Sequence, residues 1–596
     1  MQLSPSAHVD TFARDRLPPA AQWPDLVFDR PELRYPDRLN CGAELLDGSA
    51  ERYGAGRPAL RADDGECWSY GGLRARVDRI AHVLTGELGV VPGNRVLLRG
   101  PNSPHLAACW LAVMKAGAVA VTVLAAQRAH ELRTVCELGQ VGHALCDAGS
   151  LEELTKAEIP GLRVTPFGGD GPEDLLTLCA AQPERYEAVP TAADDVALIA
   201  FTSGTTGRPK GCVHFHRDVL AVADTFSAHV LRPTPDDLFA GSPPLGFTFG
   251  LGGLVIFPLR AGAAALLGQR SGPEQMLAAV ERHRVTALFT APTAYRGMLA
   301  KLGGTPEGRE RPYDISSLRR CVSAGENLSA ATYEAWRERT GLRLINGIGA
   351  TEMLHIFVSA ADEDARAGAT GFAVPGFEAR VVRRDDDTAG GDGDVSGNGD
   401  ADGNGGPRLT PLPDGEPGLL AVRGPVGCRY LADPRQREYV CDGWNLTGDT
   451  YVRDADGYFR YVARADDMIV SAGYNIAGPE VEEVLLRHPD VAEAAVVGRP
   501  DEQRGQVVVA HVVLREGAAG TDATADALHA FATGELTPYK CPREFVFADA
   551  LPRTATGKLQ RYVLREAGRD PARRPETRTA APPGASTPEA AEEAPA

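Results

Sequence analysis

From about residue 40 to 460 the chain repeats one pattern: a short β-branched or apolar run, then a longer stretch with apolar residues at helical spacing. The runs Arg95–Leu98, Ala118–Val123, His143–Cys146, Val196–Phe201, Ala287–Thr290, Arg320–Ser323 and Leu342–Asn346 read as strands. Leu106–Ala116 and Pro273–His283 read as helices between them. Such alternation predicts an α/β fold, with crossover helices joining strands of parallel or mixed sheets in a large N-terminal domain. After about Ala465 the texture changes. Pro479 opens a helix through Glu480–Arg487, Ala494–Val497 and Val507–Leu514 read as strands, and Thr524 is placed to cap a helix over Ala525–Thr533. This predicts a separate, small C-terminal α+β domain.

Two stretches lack the periodicity of either element. Residues 385–407 are almost wholly Asp, Gly, Asn and small residues, interrupting a strand-like run that resumes at Gly418–Arg423. Their spacing fits no calcium loop, and composition predicts a disordered insertion. The Ala/Pro/Glu-rich residues 571–596 read as a solvated tail. The expected organisation is an extension over 1–40, a domain over 41–464, a second over 465–570, and the tail.

Composition narrows the function. The chain has 596 residues, 43% apolar and 24% charged, with a formal net charge of −18. That balance suits a globular protein and argues against a nucleic-acid partner, which needs clustered cations. The 11 cysteines are scattered without metal-ligand or redox-pair spacing, consistent with reduced thiols in the cytoplasm. The first residues have no apolar core for a signal peptide, and Lys115 and Gly117 interrupt the longest apolar stretch, so no membrane span is expected.

The strongest local signal is Phe201-Thr-Ser-Gly-Thr-Thr-Gly-Arg-Pro-Lys-Gly211, directly after an apolar strand. Glycines let backbone N–H groups turn toward an anion, hydroxyls add donors, and Lys210 adds positive charge. It is not a P-loop, because Arg-Pro separates Gly207 from Lys210. This run resembles the phosphate loop of the adenylate-forming superfamily, which includes acyl-CoA synthetases, luciferases and peptide-synthetase adenylation domains. Further landmarks of that family follow in order: Ser323-Ala-Gly-Glu326, Gly347-Ile-Gly-Ala-Thr-Glu352, Leu446-Thr-Gly-Asp449, Arg464-Ala-Asp-Asp-Met-Ile469 and Thr556-Gly-Lys558.

The resemblance implies ATP, Mg²⁺ and coenzyme A as cofactors and a small carboxylic acid as substrate. It assigns nucleotide binding to Thr202, Ser203, Gly204, Thr205, Thr206, Lys210, Gly325, Asn346, Gly347, Ile348, Thr351, Asp449 and Arg464. Glu352 would hold the metal, and Thr351, Glu352 and Lys558 would be catalytic. Asp466 occupies the hinge of a mobile C-terminal domain, and Gly473 lies beside the entry of the pantetheine arm. Paired anions explain the choice of residues: a carboxylate attacking a polyanion needs cations that hold the two together. Taken singly, Asp449 would be a turn former and Arg464 a surface charge.

Within the superfamily, the Thr-Glu segment and Phe247-Thr-Phe-Gly-Leu-Gly-Gly253 are similar to benzoate-CoA ligases. The opening Ser6-Ala-His-Val-Asp-Thr-Phe-Ala-Arg-Asp-Arg-Leu-Pro18 is similar to 2-aminobenzoate-CoA ligases in that group. An aryl pocket of Phe249, Phe257, Gly325, Gly349, His355 and Ile356 is therefore implied, although Phe249 and Phe257 read without the family as ordinary core. The pair His214 and His216 lacks a third ligand in reach and reads as packing, not metal. The expected reaction forms an aryl-adenylate, first guess 2-aminobenzoyl, and passes the acyl group to coenzyme A. A carrier-protein thiol is the alternative acceptor, and the oligomeric state, a homodimer included, stays open.

Overall fold

The computed structural model describes residues 3–202, 209–268, 272–303, 312–385, 408–471, 474–501, 504–554, 559–569 and 578–579. Five expected site residues of the phosphate loop and thiol path (Ser203, Gly204, Thr205, Thr206 and Gly473), together with Lys558, lie outside them, as do residues 386–407 and most of the tail. The chain divides into two compact units, Met1–Tyr461 and Val462–Ala596.

Two mixed sheets dominate the large unit. One runs, in spatial order, Arg163–Phe167, His143–Asp147, Arg95–Gly100, Val119–Leu124, Val196–Thr202 and Lys210–Phe215. Its first five strands are parallel and the last returns antiparallel. The other places Leu344–Gly349, Arg320–Ser323, Ala287–Thr290 and Leu238–Gly241 side by side in parallel, with Ile356–Ser359 antiparallel at one flank. Parallel strands need helical covers on both faces, which is why these runs are almost continuously apolar and buried.

The helix Pro104–Lys115 supplies one such cover. Ser103 caps it by accepting from the Leu106 N–H at 3.2 Å, Pro104 presets its first turn, and nearly every side chain is buried. Lys115, at its end, is buried against Asp78 (2.5 Å) and Asp47 (2.8 Å), so helices Cys41–Tyr53, Tyr70–His82 and Pro104–Lys115 are pinned by one ion cluster. The N-terminal stretch is strapped to the base of strand Val196–Thr202. There the Ala7 N–H (2.9 Å) and Arg14 Nη1 (3.1 Å) donate to Asp195, and the Ser4 N–H donates to Asp194 (3.1 Å).

Three sequence expectations change. Residues 378–464 form an antiparallel sheet of Leu409–Pro411, Glu378–Arg384, Gly418–Arg423, Trp444–Arg453 and neighbours, each of these strands running opposite to the one beside it. The strand expected at Leu342–Asn346 is Leu344–Gly349, so Gly347 and Gly349 are strand residues. Close neighbours explain this: a Cβ at Gly347 would meet Ile356 Cδ1 at 2.8 Å, and one at Gly349 the His355 carbonyl oxygen at 2.8 Å. The helix expected to be capped by Thr524 runs Asp522–Glu535, capped by Thr521, whose hydroxyl accepts from the Thr524 N–H at 3.2 Å.

The small unit contains the hairpin Ile469–Ser471 and Tyr474–Ile476 and a sheet of Val491–Asp501, Gly505–Leu514, Glu544–Phe547 and Arg578–Thr579. Helices Gly478–Leu485 and Asp522–Glu535 bury Val481, Leu485, Ala525 and Leu528 in its core.

Candidate active site

Strands Val196–Thr202 and Lys210–Phe215 pair from Val196 opposite Phe215 to Thr202 opposite Lys210, the two residues that flank the Gly/Thr-rich run in sequence. Lys210 begins the returning strand. Its ammonium donates to the Tyr430 hydroxyl at 2.7 Å, and that hydroxyl donates to Glu352 Oε1 at 2.5 Å. The ammonium itself stands 3.6 Å from the same oxygen. Tyr430 is held by a segment stitched to the returning strand: the Val213 N–H donates to the Arg429 carbonyl and the Leu431 N–H to the Gly211 carbonyl, both at 2.8 Å. Burial, then the charge of Glu352, pushes the Tyr430 phenol far above its ordinary range, so it stays protonated.

Glu352 reaches this cluster from the short helical turn Thr351–Met353, just beyond strand Leu344–Gly349. The Thr351 carbonyl meets His214 Nε2 at 2.8 Å. Burial, and after it the Arg429 charge, drives His214 down to about 3, so the ring is neutral and Nε2 carries the hydrogen it donates. Its Nδ1 lies 4.0 Å from Asp218, which is paired with the fully buried Arg429. His216 is also buried and neutral, its Nδ1 accepting from the Cys41 N–H at 3.2 Å. Among the described residues, no group of three or more His, Cys, Asp or Glu side chains is arranged to hold a metal ion.

Past the Thr-Glu turn the backbone reverses at Leu354, with φ +65° and ψ −36°, and the His355 N–H closes back on the Met353 carbonyl at 2.8 Å. This φ-positive γ-turn at a buried, bulky residue is strained. It turns His355 into an aromatic box, with ring centroids 4.5 Å from Phe257, 5.6 Å from Phe226 and 5.7 Å from Phe249; Phe289 lies 5.8 Å beyond Phe249. Burial lowers His355 to about 3, against a slight opposing pull from the Phe249 backbone. Apart from that backbone contact with Phe249, neither ring nitrogen has a hydrogen-bond partner among the described residues. Phe257 and Ile356 are fully buried, while Phe249 and Ile348 keep part of their surface.

The remaining expected residues spread over other elements. Gly325, φ +92°, is exposed just past strand Arg320–Ser323, whose Ser323 lies in register with Asn346. The Asn346 side chain donates to the Ala369 carbonyl at 3.1 Å. Asp449 projects from a bulge: Leu419 pairs with Thr450 but Ala421 with Leu446, and Gly448 takes φ +76°. In the small unit, Arg464 ends strand Phe459–Arg464 and Asp466 lies in the turn Ala465–Asp467.

The structure thus brings Lys210, Thr351 and Glu352 together, and separately Phe249, Phe257 and His355. Sequence reasoning missed Tyr430 and the Arg429–Asp218 pair. The sole available signal was two polar residues, Arg429 and Tyr430, inside the apolar run from Val426 to Leu431.

A cation, a phenol and a carboxylate gathered at the end of a strand suit a metal-bound polyanion, and an aromatic box suits an aryl ring. Residues 46–400 match the AMP-binding enzyme family and residues 480–558 the AMP-binding enzyme C-terminal domain. The chain belongs to the AMP-binding enzyme family. It is 33% identical to benzoate–CoA ligase of Thauera aromatica, over 90% of this chain and 98% of that protein. The fold superposes on the anthranilate CoA ligase AuaEII in complex with anthranoyl-AMP with a TM-score of 0.80 at 30% identity, covering 90% of this chain and 99% of that one. For a benzoate CoA ligase from Burkholderia xenovorans LB400 the TM-score is 0.76 at 31% identity, covering 88% and 99%.

Proposed function

We propose that this protein is an ATP-dependent aryl-CoA ligase whose preferred acid is 2-aminobenzoate. In the first half-reaction a carboxylate oxygen of the acid attacks the α-phosphorus of ATP and pyrophosphate leaves. In the second the thiolate sulfur of coenzyme A attacks the acyl carbon and AMP leaves. Lys210 and the Thr202–Thr206 turn cradle the phosphates, Thr351 touches one of them, and Asp449 and Arg464 hold the ribose end. Gly325, Asn346, Gly347 and Ile348 line the adenine side. Lys558 bridges the carboxylate and the α-phosphate, then gives way when the small domain turns about Asp466 and admits the pantetheine arm past Gly473.

Mg²⁺ fits Glu352. This ion usually keeps several waters and takes one or two carboxylates plus substrate phosphates, and Glu352 offers one carboxylate close to Lys210. When bound it would neutralise charge on the phosphoryl oxygens.

The observation that carries the aryl assignment is His355. It is the polar side chain in a box of phenylalanines, neutral, and apart from the Phe249 backbone contact its ring nitrogens lack partners among the described residues. Amino or hydroxyl groups on the acid's ring supply that partner, whereas benzoate leaves it unmet, a difference of about 1–3 kcal/mol. That favours 2-aminobenzoate among acids that Phe249, Phe257, Ile356 and Gly349 would otherwise accept alike.

The test is pyrophosphate exchange into ATP across substituted benzoates and short fatty acids, followed by release of free acyl-CoA with coenzyme A as the sole thiol. Expected are exchange with aryl acids, the highest kcat/KM for 2-aminobenzoate, and aryl-CoA without any carrier protein. Lys558→Ala should abolish exchange yet spare thiolysis of preformed aryl-AMP. Absence of exchange with every aromatic acid would overturn the assignment.

A further inference from the structure

The phenol of Tyr430 stands between the two charged groups of the site, and donor–acceptor chemistry fixes how it is used. An ammonium can only donate and a carboxylate only accept. The Tyr430 oxygen therefore accepts from Lys210 at 2.7 Å and spends its one hydrogen on Glu352 Oε1 at 2.5 Å. Two consequences follow from the distances. Lys210 and Glu352 form an ion pair held at 3.6 Å, too long for a direct hydrogen bond. And Glu352 is held through Oε1 alone; among the described residues Oε2 receives no hydrogen bond.

The phenol has little freedom to do otherwise. Its ring is fully buried and edge-on to Tyr439 at 5.8 Å. Its N–H donates to Gln436 Oε1 at 2.9 Å, and the flanking residues are bonded in register to the strand that carries Lys210. The strand thus sets Lys210 and Tyr430 against each other, and the pair in turn sets the carboxylate of Glu352.

We propose that Tyr430 is a positioning residue for metal-bound nucleotide: its hydroxyl keeps Lys210 available to phosphate and presents Glu352 Oε2 to the divalent ion. The proposal rests on the nucleotide and metal roles given above to Lys210 and Glu352. Without the hydroxyl, Lys210 and Glu352 collapse onto each other, and binding of metal-bound nucleotide must first break that pair. Metal-free AMP, which carries no β- or γ-phosphate, makes no such demand.

The experiment compares the full chain with Tyr430→Phe, which retains the ring, and with Tyr439→Phe, which removes a neighbouring buried hydroxyl that has no hydrogen-bond partner among the described residues. Calorimetric titration measures binding of Mg²⁺-ATP and of AMP without acid or coenzyme A, and electron paramagnetic resonance follows Mn²⁺ uptake in the presence of ATP. Expected for Tyr430→Phe is a loss of Mg²⁺-ATP and Mn²⁺-ATP affinity of about ten- to a hundredfold, the range for one hydrogen bond to a charged group. AMP affinity should stay within about twofold, a few tenths of a kcal/mol, and Tyr439→Phe should match the wild type throughout. Unchanged Mn²⁺-ATP affinity overturns the proposal, and so does equal loss of AMP and ATP binding or loss of the fold, each of which assigns Tyr430 a structural role. Wild-type protein that binds and exchanges no nucleotide with any aromatic acid would instead refute the ligase reading itself.

Discussion

Gly252 lies against the face of His355: a Cβ there would fall 2.2 Å from Cδ2 and 2.7 Å from Nε2 of the imidazole. The ring cannot retreat, because Phe226, Phe249 and Phe257 surround it and Leu354 spends backbone strain to aim it inward. Gly252→Ala should therefore displace the imidazole. The expected cost is about 1–3 kcal/mol of stability from overpacking, together with loss of discrimination between 2-aminobenzoate and benzoate. Thermal unfolding and a comparison of kcat/KM for the two acids check both parts, and a variant with wild-type selectivity would detach His355 from substrate choice. Sequence spacing assigned His355 to the pocket only through family resemblance. That phenylalanines enclose its ring, and that a glycine makes room for it, depends on residues about a hundred positions away.

Strand Trp444–Arg453 shows how an element positions a single carboxylate. Between Leu446 and Thr450 it carries more residues than its partner strand, and Gly448 turns through φ +76° before Asp449. Only glycine takes that conformation without strain. Gly448→Ala is expected to cost about 1–2 kcal/mol and to weaken AMP binding through a shifted Asp449, while leaving the aryl box untouched. Titration with AMP beside pyrophosphate-exchange KM values for the acid tests this, and an unaltered AMP affinity would separate the bulge from nucleotide binding. Leu446-Thr-Gly-Asp449 was visible as a motif, but its bulge was not. A run of alternating residues carries no mark of where its neighbour's register slips.

Across the molecule, His214, His216 and His355 are each driven from 6.5 to about 3, with burial the largest cause. Their folded-state values lie below the unfolded one, so the unfolded chain binds protons that the folded chain refuses. Stability is complete above about pH 6.5 and falls as pH drops toward 3, by up to about 1.4 kcal/mol per pH unit for each ring. Urea unfolding of the large unit should shift to a lower midpoint between about pH 7.5 and pH 5.5. A midpoint indifferent to pH over that interval would rule out three neutral imidazoles. His214 also ties this protonation to the site, since its neutral ring donates to the Thr351 carbonyl next to Glu352.

Local periodicity was enough to reveal the α/β alternation, the parallel strands and the small α+β unit, because burial on both faces of a parallel sheet demands unbroken apolar runs. Ordered motifs were enough to name the family, because phosphate binding needs glycines, hydroxyls and a lysine close together in sequence. The antiparallel sheet of residues 378–464, the strapping of Ser4 and Ala7 to Asp194 and Asp195, and the phenol between Lys210 and Glu352 were decided only by the fold. Each joins residues that are individually unremarkable and tens to hundreds of positions apart. Hydrogen-bond partnership and burial are properties of pairs in space, and a single chain read residue by residue does not contain them.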